Sequence, residues 1–273
     1  MADLTGWRVM RLDDKAPIRA FLDRDRIQSA YALGDLDDAF WPESAFFGAA
    51  RGGALEALAL VYRGLDPPVL CAFGAPDGVA AILHAPALNL PDEVYTLLPP
   101  ALAPVFSKAY TLHQPHEEWR MALEPAAFAP PSLNGVARLD GGHAAALAAL
   151  FRHAAEPGEA IVAFSPWQIE HGAFYGVWED GALIAAAGTH VWSAAERVAA
   201  VGNVFTRPDR RGRGHATRCT AAVAQDALAA GLDPIILNVR MTNAPAIHVY
   251  QKLGFRAHGA MIEGPALRRE RAE

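Results

Sequence analysis

The sequence predicts an α/β chain made of two tandem domains. Three observations predict it: the length, the alternation of strand-like apolar runs with helical ones, and the return of one element order in both halves. At 273 residues the chain suits two domains of about 130, since domain sizes cluster at roughly 100 to 150 residues. Hydrophobic residues are 52% and charged residues 20%, which supplies two sizeable cores and argues against disorder over most of the length.

In the first half, residues 7–12 (WRVMRL) alternate as a strand. Asp13 or Asp14 then caps a helix running to about Leu33. The runs FFGAARGG and ALEALALVYRG form a hairpin about Gly52-Gly53, with Leu58, Leu60 and Tyr62 on one face of its second strand. There follow a short buried strand, PVLCAFG, a helix capped by Asp77, the strand EVYTLLP, the helix PALAPVFSKAY and a last strand, EEWRMALEP. Three prolines in residues 125–134 (PAAFAPPSLN) mark a linker. The predicted domains are therefore 1–128 and 129–273.

From Val136 the order recurs. VARL is a strand, DGGHAAALAALFRHA a helix, and FYGVWED with GALIAAAGTHVW a hairpin about Asp180-Gly181. RVAAVGNVFT is a long strand, followed by a helix from Gly214 to about Ala230, the strand PIILNV, the helix NAPAIHVYQKLG and a final strand from Phe255. The shared order of two dissimilar sequences reads as a divergent tandem duplication.

Charge and cysteine content narrow the function classes. A net charge of −6 and a pI near 5.9 argue against a general nucleic-acid binder, which needs a basic face; the RGRG tetrapeptide is a local exception. Cys71 and Cys219 lack metal or disulfide-framework spacing. The N-terminus has no signal-peptide core and no apolar run is long enough to span a membrane. These features predict a cytoplasmic protein, monomer or homodimer, with neither nucleic-acid nor membrane partner. The tightest histidine pair, His113 and His116, is interrupted by a proline, and no metal is expected.

The chemistry concentrates in residues 201–216, VGNVFTRPDRRGRGHA. Glycines let successive backbone N–H groups converge, and the following helix adds about half a positive charge at its start, so the turn predicts an anion cradle. Arg211, Gly214 and Ala216 resemble the Q/R-x-x-G-x-G/A motif of the GNAT acyltransferase superfamily. Asn243, Ala246, Ile247, Tyr250 and Leu253-Gly254-Phe255 resemble that family's second stretch, in order and at the expected distance.

The resemblance covers roughly 136–262 and implies a mixed, mostly antiparallel sheet flanked by helices, splayed between its fourth and fifth strands. It implies acetyl-CoA as acyl donor. Backbone groups of Val204, Phe205 and Thr206 would meet the pantetheine. Residues Arg211, Gly212, Arg213, Gly214, His215 and Ala216 would hold the pyrophosphate, and Asn243 would contact the pantetheine arm. Tyr250 would protonate the leaving thiolate. Many family members carry an acid on the strand before the turn, where this chain reads AAVGNVFT; His190 is the leading candidate base, with Glu156 and Glu159 behind it. The expected activity is N-acetylation of a primary amine on a small-molecule or amino-acid-like acceptor. An acyl-CoA-binding sensor with weak catalysis is the alternative. The first half resembles a degenerate domain of the same kind: LCAFGAPDGVAAIL has glycines at 74 and 78, no arginine, and an aspartate at 77 that would repel phosphate.

Overall fold

The computed structural model of the chain describes residues 6–153 and 164–269. They fall into two compact units, Met1–Trp119 with Gly259–Glu273, and Arg120–His258. The linear division at 128/129 does not anticipate that the first unit includes the chain's last segment.

The first unit runs β1 (Arg8–Leu12), α1 (Lys15–Leu22), α2 (Ala30–Gly34), β2 (Ser44–Arg51), β3 (Ala54–Tyr62), β4 (Val69–Gly74), α3 (Pro76–His84), β5 (Glu93–Leu98), α4 (Ala103–Ala109), β6 (Tyr110–Leu112) and the start of β7 (His116–Leu123). Strands β1 to β4 pair antiparallel in sequence order. β4 and β5 pair in parallel over Val69↔Tyr95 to Cys71↔Leu97 only. Both faces of β3 are covered: Ala57, Ala59 and Val61 pack in one cluster with Val79, Ile82 and Leu83 of α3 and Phe106 of α4, and Leu58 and Leu60 are buried too.

Two expectations are corrected here. The single helix to Leu33 is broken after Leu22 by a 3-10 turn over Asp23–Asp25, because the Asp25 carboxylate accepts the backbone N–H of Gln28 at 3.0 Å and offers the chain a local alternative to the helical ladder. Asp14 is the cap of α1, accepting from Ala16 N. Asp77 does not cap α3: the helix starts at Pro76, with Ala75 as a cap lacking any side-chain bond, as suits proline in a first turn.

The second unit runs from the rest of β7 through β8 (Val136–Leu139), α5 (Ala144–Arg152), α6 (Trp167–His171), β9 (Phe174–Glu179), β10 (Ala182–Ser193), β11 (Val198–Thr206), α7 (His215–Ala229), β12 (Ile235–Arg240) and α8 (Ala244–Lys252) to the start of β13 (Phe255–Arg268). β8 to β11 pair antiparallel in order, and β11 pairs with β12 in parallel. Leu147, Leu150, Phe151, Ile169 and Phe174 build the core on one face with Leu183 and Phe205. The small side chains of α7, from Cys219 through Ala227, are buried as it packs on β9, β10 and β11. The turn Asp180-Gly181 has φ of 49° and 76°, as a two-residue hairpin with strongly twisted strands requires.

Element by element, the two units match, each with a helix between two parallel neighbours. Their final strands are exchanged: β13 lies antiparallel to β5 from Ile262↔Leu98 to Leu267↔Glu93 in the first unit, while Arg120–Leu123 of β7 belong to the second. Among the described residues no helix is long and apolar enough to cross a membrane.

Candidate functional site

The site begins where two strands part. β11 and β12 are paired only from Ala199↔Ile235 to Val201↔Leu237, yet β11 continues to Thr206 and β12 to Arg240. On its other edge β11 stays bound to β10, with Phe205↔Ala186 and Thr206↔Ala185. Between these pairs and Gly202↔Gly188 lies a bulge that sets Asn203 and Val204 opposite the single Ala187. Asn203 takes φ 51° there, a left-handed conformation that asparagine tolerates better than most residues. The bulge leaves residues 203–204 out of the paired register with β10.

Residues 207–214 then carry the chain to α7. Arg207 grips Asp209 with two bonds of 3.1 Å. Arg210 reaches Glu179 at 2.8 Å and Asp209 at 2.8 Å. These pairs fix the loop and spend two of its cations internally. Arg211 and Arg213 stay exposed, Arg211 with its Nε on the Thr206 carbonyl at 3.3 Å and its guanidinium 5.8 Å from the Phe205 ring centre. Gly212 and Gly214 have φ of 77° and 75°, and a Cβ added to either would meet nothing within 4 Å. The backbone is therefore left-handed and faces open space, while Gly214 caps α7 without a side-chain bond. Bare N–H groups at the start of a 15-residue helix, with two exposed arginines, make an anion-binding surface.

His215 and Ala216 form the first turn of that helix. The His215 ring is buried and its Nδ1 accepts from Arg218 Nη2 at 2.8 Å. Burial first, and then the Arg218 charge, hold the imidazole below its ordinary pKa, so it is neutral at pH 7 and offers the loop a backbone N–H rather than a charge. Phe205 likewise points into the core, leaving its main chain for any ligand. Burial pushes the Cys219 thiol up to about 12, which removes it as a nucleophile.

Asn243 is the N-cap of α8, its Oδ1 accepting from Ala246 N at 3.2 Å. Tyr250, two turns further on, is 7% exposed and meets Phe255 edge to face at 6.1 Å; α8 packs on α7. His190 sits at the bulge between Thr189 and Val191 of β10, with its ring flat on Gly202, where a Cβ would come within 2.2 Å of Nε2. His190 therefore lies over Gly202, two residues before Val204 on the same strand. Glu156 and Glu159 lie outside the described residues.

Residue types alone did not point to Gln168, Glu179 or the conformation of Asn203. Gln168, buried on α6, accepts from Ser165 N at 3.1 Å and from Asn203 Nδ2 at 3.4 Å. That aims the Asn203 amide with its oxygen unused. Among the described residues, five buried side-chain polar atoms have no hydrogen-bond partner: Trp7 Nε1 in the first unit, and Asn203 Oδ1, Thr206 Oγ1, His215 Nε2 and Thr220 Oγ1 on β11 and α7. The His215 Nε2 to Glu179 Oε1 separation, 3.9 Å, is too long to count as such a bond.

Parted parallel strands, a bulged strand beside them and an open glycine turn at a helix start make up the site. Residues 144–255 match the model of the Acetyltransferase (GNAT) family. A structure assigned to a GNAT-family acetyltransferase from Novosphingobium aromaticivorans is 27% identical, with 73% of this chain and 84% of that one covered and a TM-score of 0.55. A GCN5-related N-acetyltransferase from Sphaerobacter thermophilus shares the fold at 15% identity, 97% of each chain and a TM-score of 0.60. So does a tandem GNAT protein of the clavulanic acid biosynthesis pathway, at 14% identity, 98% and 100% coverage and a TM-score of 0.60. No functionally curated sequence matches the chain.

Proposed function

We propose that the second unit is an N-acetyltransferase that moves the acetyl group of acetyl-CoA to a primary amine of a small-molecule or amino-acid-like acceptor by direct attack. The observation that carries this reading is the open, left-handed turn at Gly212 and Gly214 placed beside a strand edge freed for hydrogen bonding. Main-chain groups of Val204, Phe205 and Thr206 extend toward the pantetheine amides as a sheet edge takes a peptide. N–H groups from Arg211 to Ala216 hold the pyrophosphate, Arg211 and Arg213 screen its charge, and Asn243 reaches the arm from the start of α8.

The amine nitrogen attacks the thioester carbonyl carbon, the C–S bond breaks, and the Tyr250 hydroxyl gives its proton to the departing sulfur. The amine itself must lose a proton. An unperturbed lysine-type amine has a pKa of about 10, so His190, lying on Gly202, is assigned as the base, directly or through water.

The test is a thiol-release assay with acetyl-CoA and a panel of amines, run beside CoA titration calorimetry. Turnover on at least one amine that falls by orders of magnitude in Tyr250→Phe supports the enzyme. The absence of Asp or Glu from β11 favours one other reading, an acyl-CoA sensor; tight CoA binding with no turnover on any amine would establish that instead.

A further inference from the structure

The first unit carries a cluster that the acyl-transfer reading leaves unused. His116 and Glu118 stand two positions apart on β7, so strand alternation puts both side chains on one face. Glu263 comes to them from β13, far along the chain. His116 Nε2 and Glu118 Oε1 are 3.2 Å apart, and one ligand atom from each of the three residues lies within 4.8 Å of the other two. A divalent ion held at about 2.0–2.2 Å by one imidazole and two carboxylates needs its donor atoms roughly 3–4 Å apart, a spacing this cluster reaches with little adjustment.

We propose that His116, Glu118 and Glu263 form a binding site for a divalent first-row transition ion of the zinc type. One nitrogen and two oxygens suit such an ion. Calcium takes six or more oxygens, and magnesium favours an all-oxygen shell. Three protein donors leave a fourth position for water.

Two features beyond the ligands support the site. Tyr95, on β5, donates its hydroxyl to Glu263 Oε1 at 2.9 Å, the outer hydrogen bond that orients a ligating carboxylate. The strand carrying Glu263 is also pinned beside β7. His113 N bonds the Pro265 carbonyl at 2.8 Å, and at Gly264 a Cβ would lie 3.2 Å from Pro115 Cα and 3.4 Å from the His113 carbonyl. The donors are thus held on rigid strands. The groups facing Glu263 are Glu118, Tyr95 and His116; burial and then the Glu118 charge push its carboxyl up to about 8. An entering cation would relieve the repulsion between the two neighbouring carboxylates.

The experiment uses the full-length, untagged, metal-stripped chain, titrated with Zn²⁺ by calorimetry in buffers of different ionisation heat, with Co²⁺ absorption as a second probe. The expected result is one Zn²⁺ per chain. Glu263→Gln and His116→Gln should each weaken binding by at least a hundredfold, and Tyr95→Phe by roughly tenfold. Circular dichroism and CoA binding by the second unit show that each variant is folded. Absence of stoichiometric binding by the unmutated chain overturns the proposal, and so does binding of equal affinity and stoichiometry in folded Glu263→Gln and His116→Gln chains. In the first case the cluster is a structural hydrogen-bonded group of side chains; in the second the ion sits elsewhere.

Discussion

The two parallel strand junctions share a topology and differ in what joins strand to helix. In the first unit a single residue, Ala75, separates β4 from α3. In the second, residues 207–214 separate β11 from α7. Gly74 closes the first junction with φ 90°, but a Cβ there would strike the Glu56 carbonyl at 2.3 Å and Phe21 at 2.7 Å. Gly212 and Gly214 close the second with open space before them. Asp77 puts a carboxylate in the first turn of α3, where α7 has bare N–H groups and arginines beside it. The lesson is that the duplicated scaffold fixes where a helix start meets parted strands, and the connecting loop decides whether anything can bind there.

Paired substitutions break or sharpen this contrast. The largest effect is expected at Tyr250, where phenylalanine should lower kcat by roughly 10²–10⁴-fold and leave CoA affinity within about threefold. Its foil is Tyr110, directly after α4, whose hydroxyl donates to the Pro91 carbonyl at 2.7 Å. Tyr110→Phe should cost about 1 kcal/mol in denaturant unfolding and leave turnover unchanged. A comparable loss of turnover in both variants would undo the distinction.

Next come the glycines. Gly214→Ala strains a left-handed residue by about 1–2 kcal/mol and crowds the cradle, so calorimetry should show CoA affinity reduced by roughly ten- to a hundredfold. Gly74→Ala should instead lower stability by about 1–3 kcal/mol through overpacking, with CoA affinity of the folded chain intact. The arginines follow, at about tenfold each for Arg211→Ala and Arg213→Ala, from the loss of one charge-assisted bond. The deficit should shrink as salt rises.

A further prediction is a pH slope belonging to the first unit. The carboxyl of Glu263 is raised from 4.5 to about 8, so between those values the folded state binds more protons than the unfolded one. Stability therefore falls as pH rises through that window. Unfolding free energy measured between pH 5 and pH 8.5 should decline, and Glu263→Gln should flatten the decline.

Much of this architecture was legible in the sequence, because hairpins and glycine turns are set by local chemistry. Asp180-Gly181 and Gly52-Gly53 mark their turns, and apolar alternation marks the flanking strands. The glycine turn before α7 was legible for the same reason, since Gly212 and Gly214 occupy conformations other residues avoid. What escaped depends on distant partners. α6 is five residues long and shows no helical period. The left-handed state of Asn203 follows from a register shift against β10. His116 and Glu118 read as an ordinary strand until Glu263, on another element, is brought beside them.

The crossing of β13 from one unit to the other constrains how the molecule is made. Its residues Gly259 onward complete the sheet of the first unit, and Arg268 there reaches the carbonyls of Leu83 and Leu90 at 3.1 and 3.0 Å. During synthesis the first unit consequently stays one strand short until the residues from Gly259 onward have left the ribosome. A truncation ending at residue 258 should keep its second unit's sequence whole and yet expose the edge of β5, giving an aggregation-prone product.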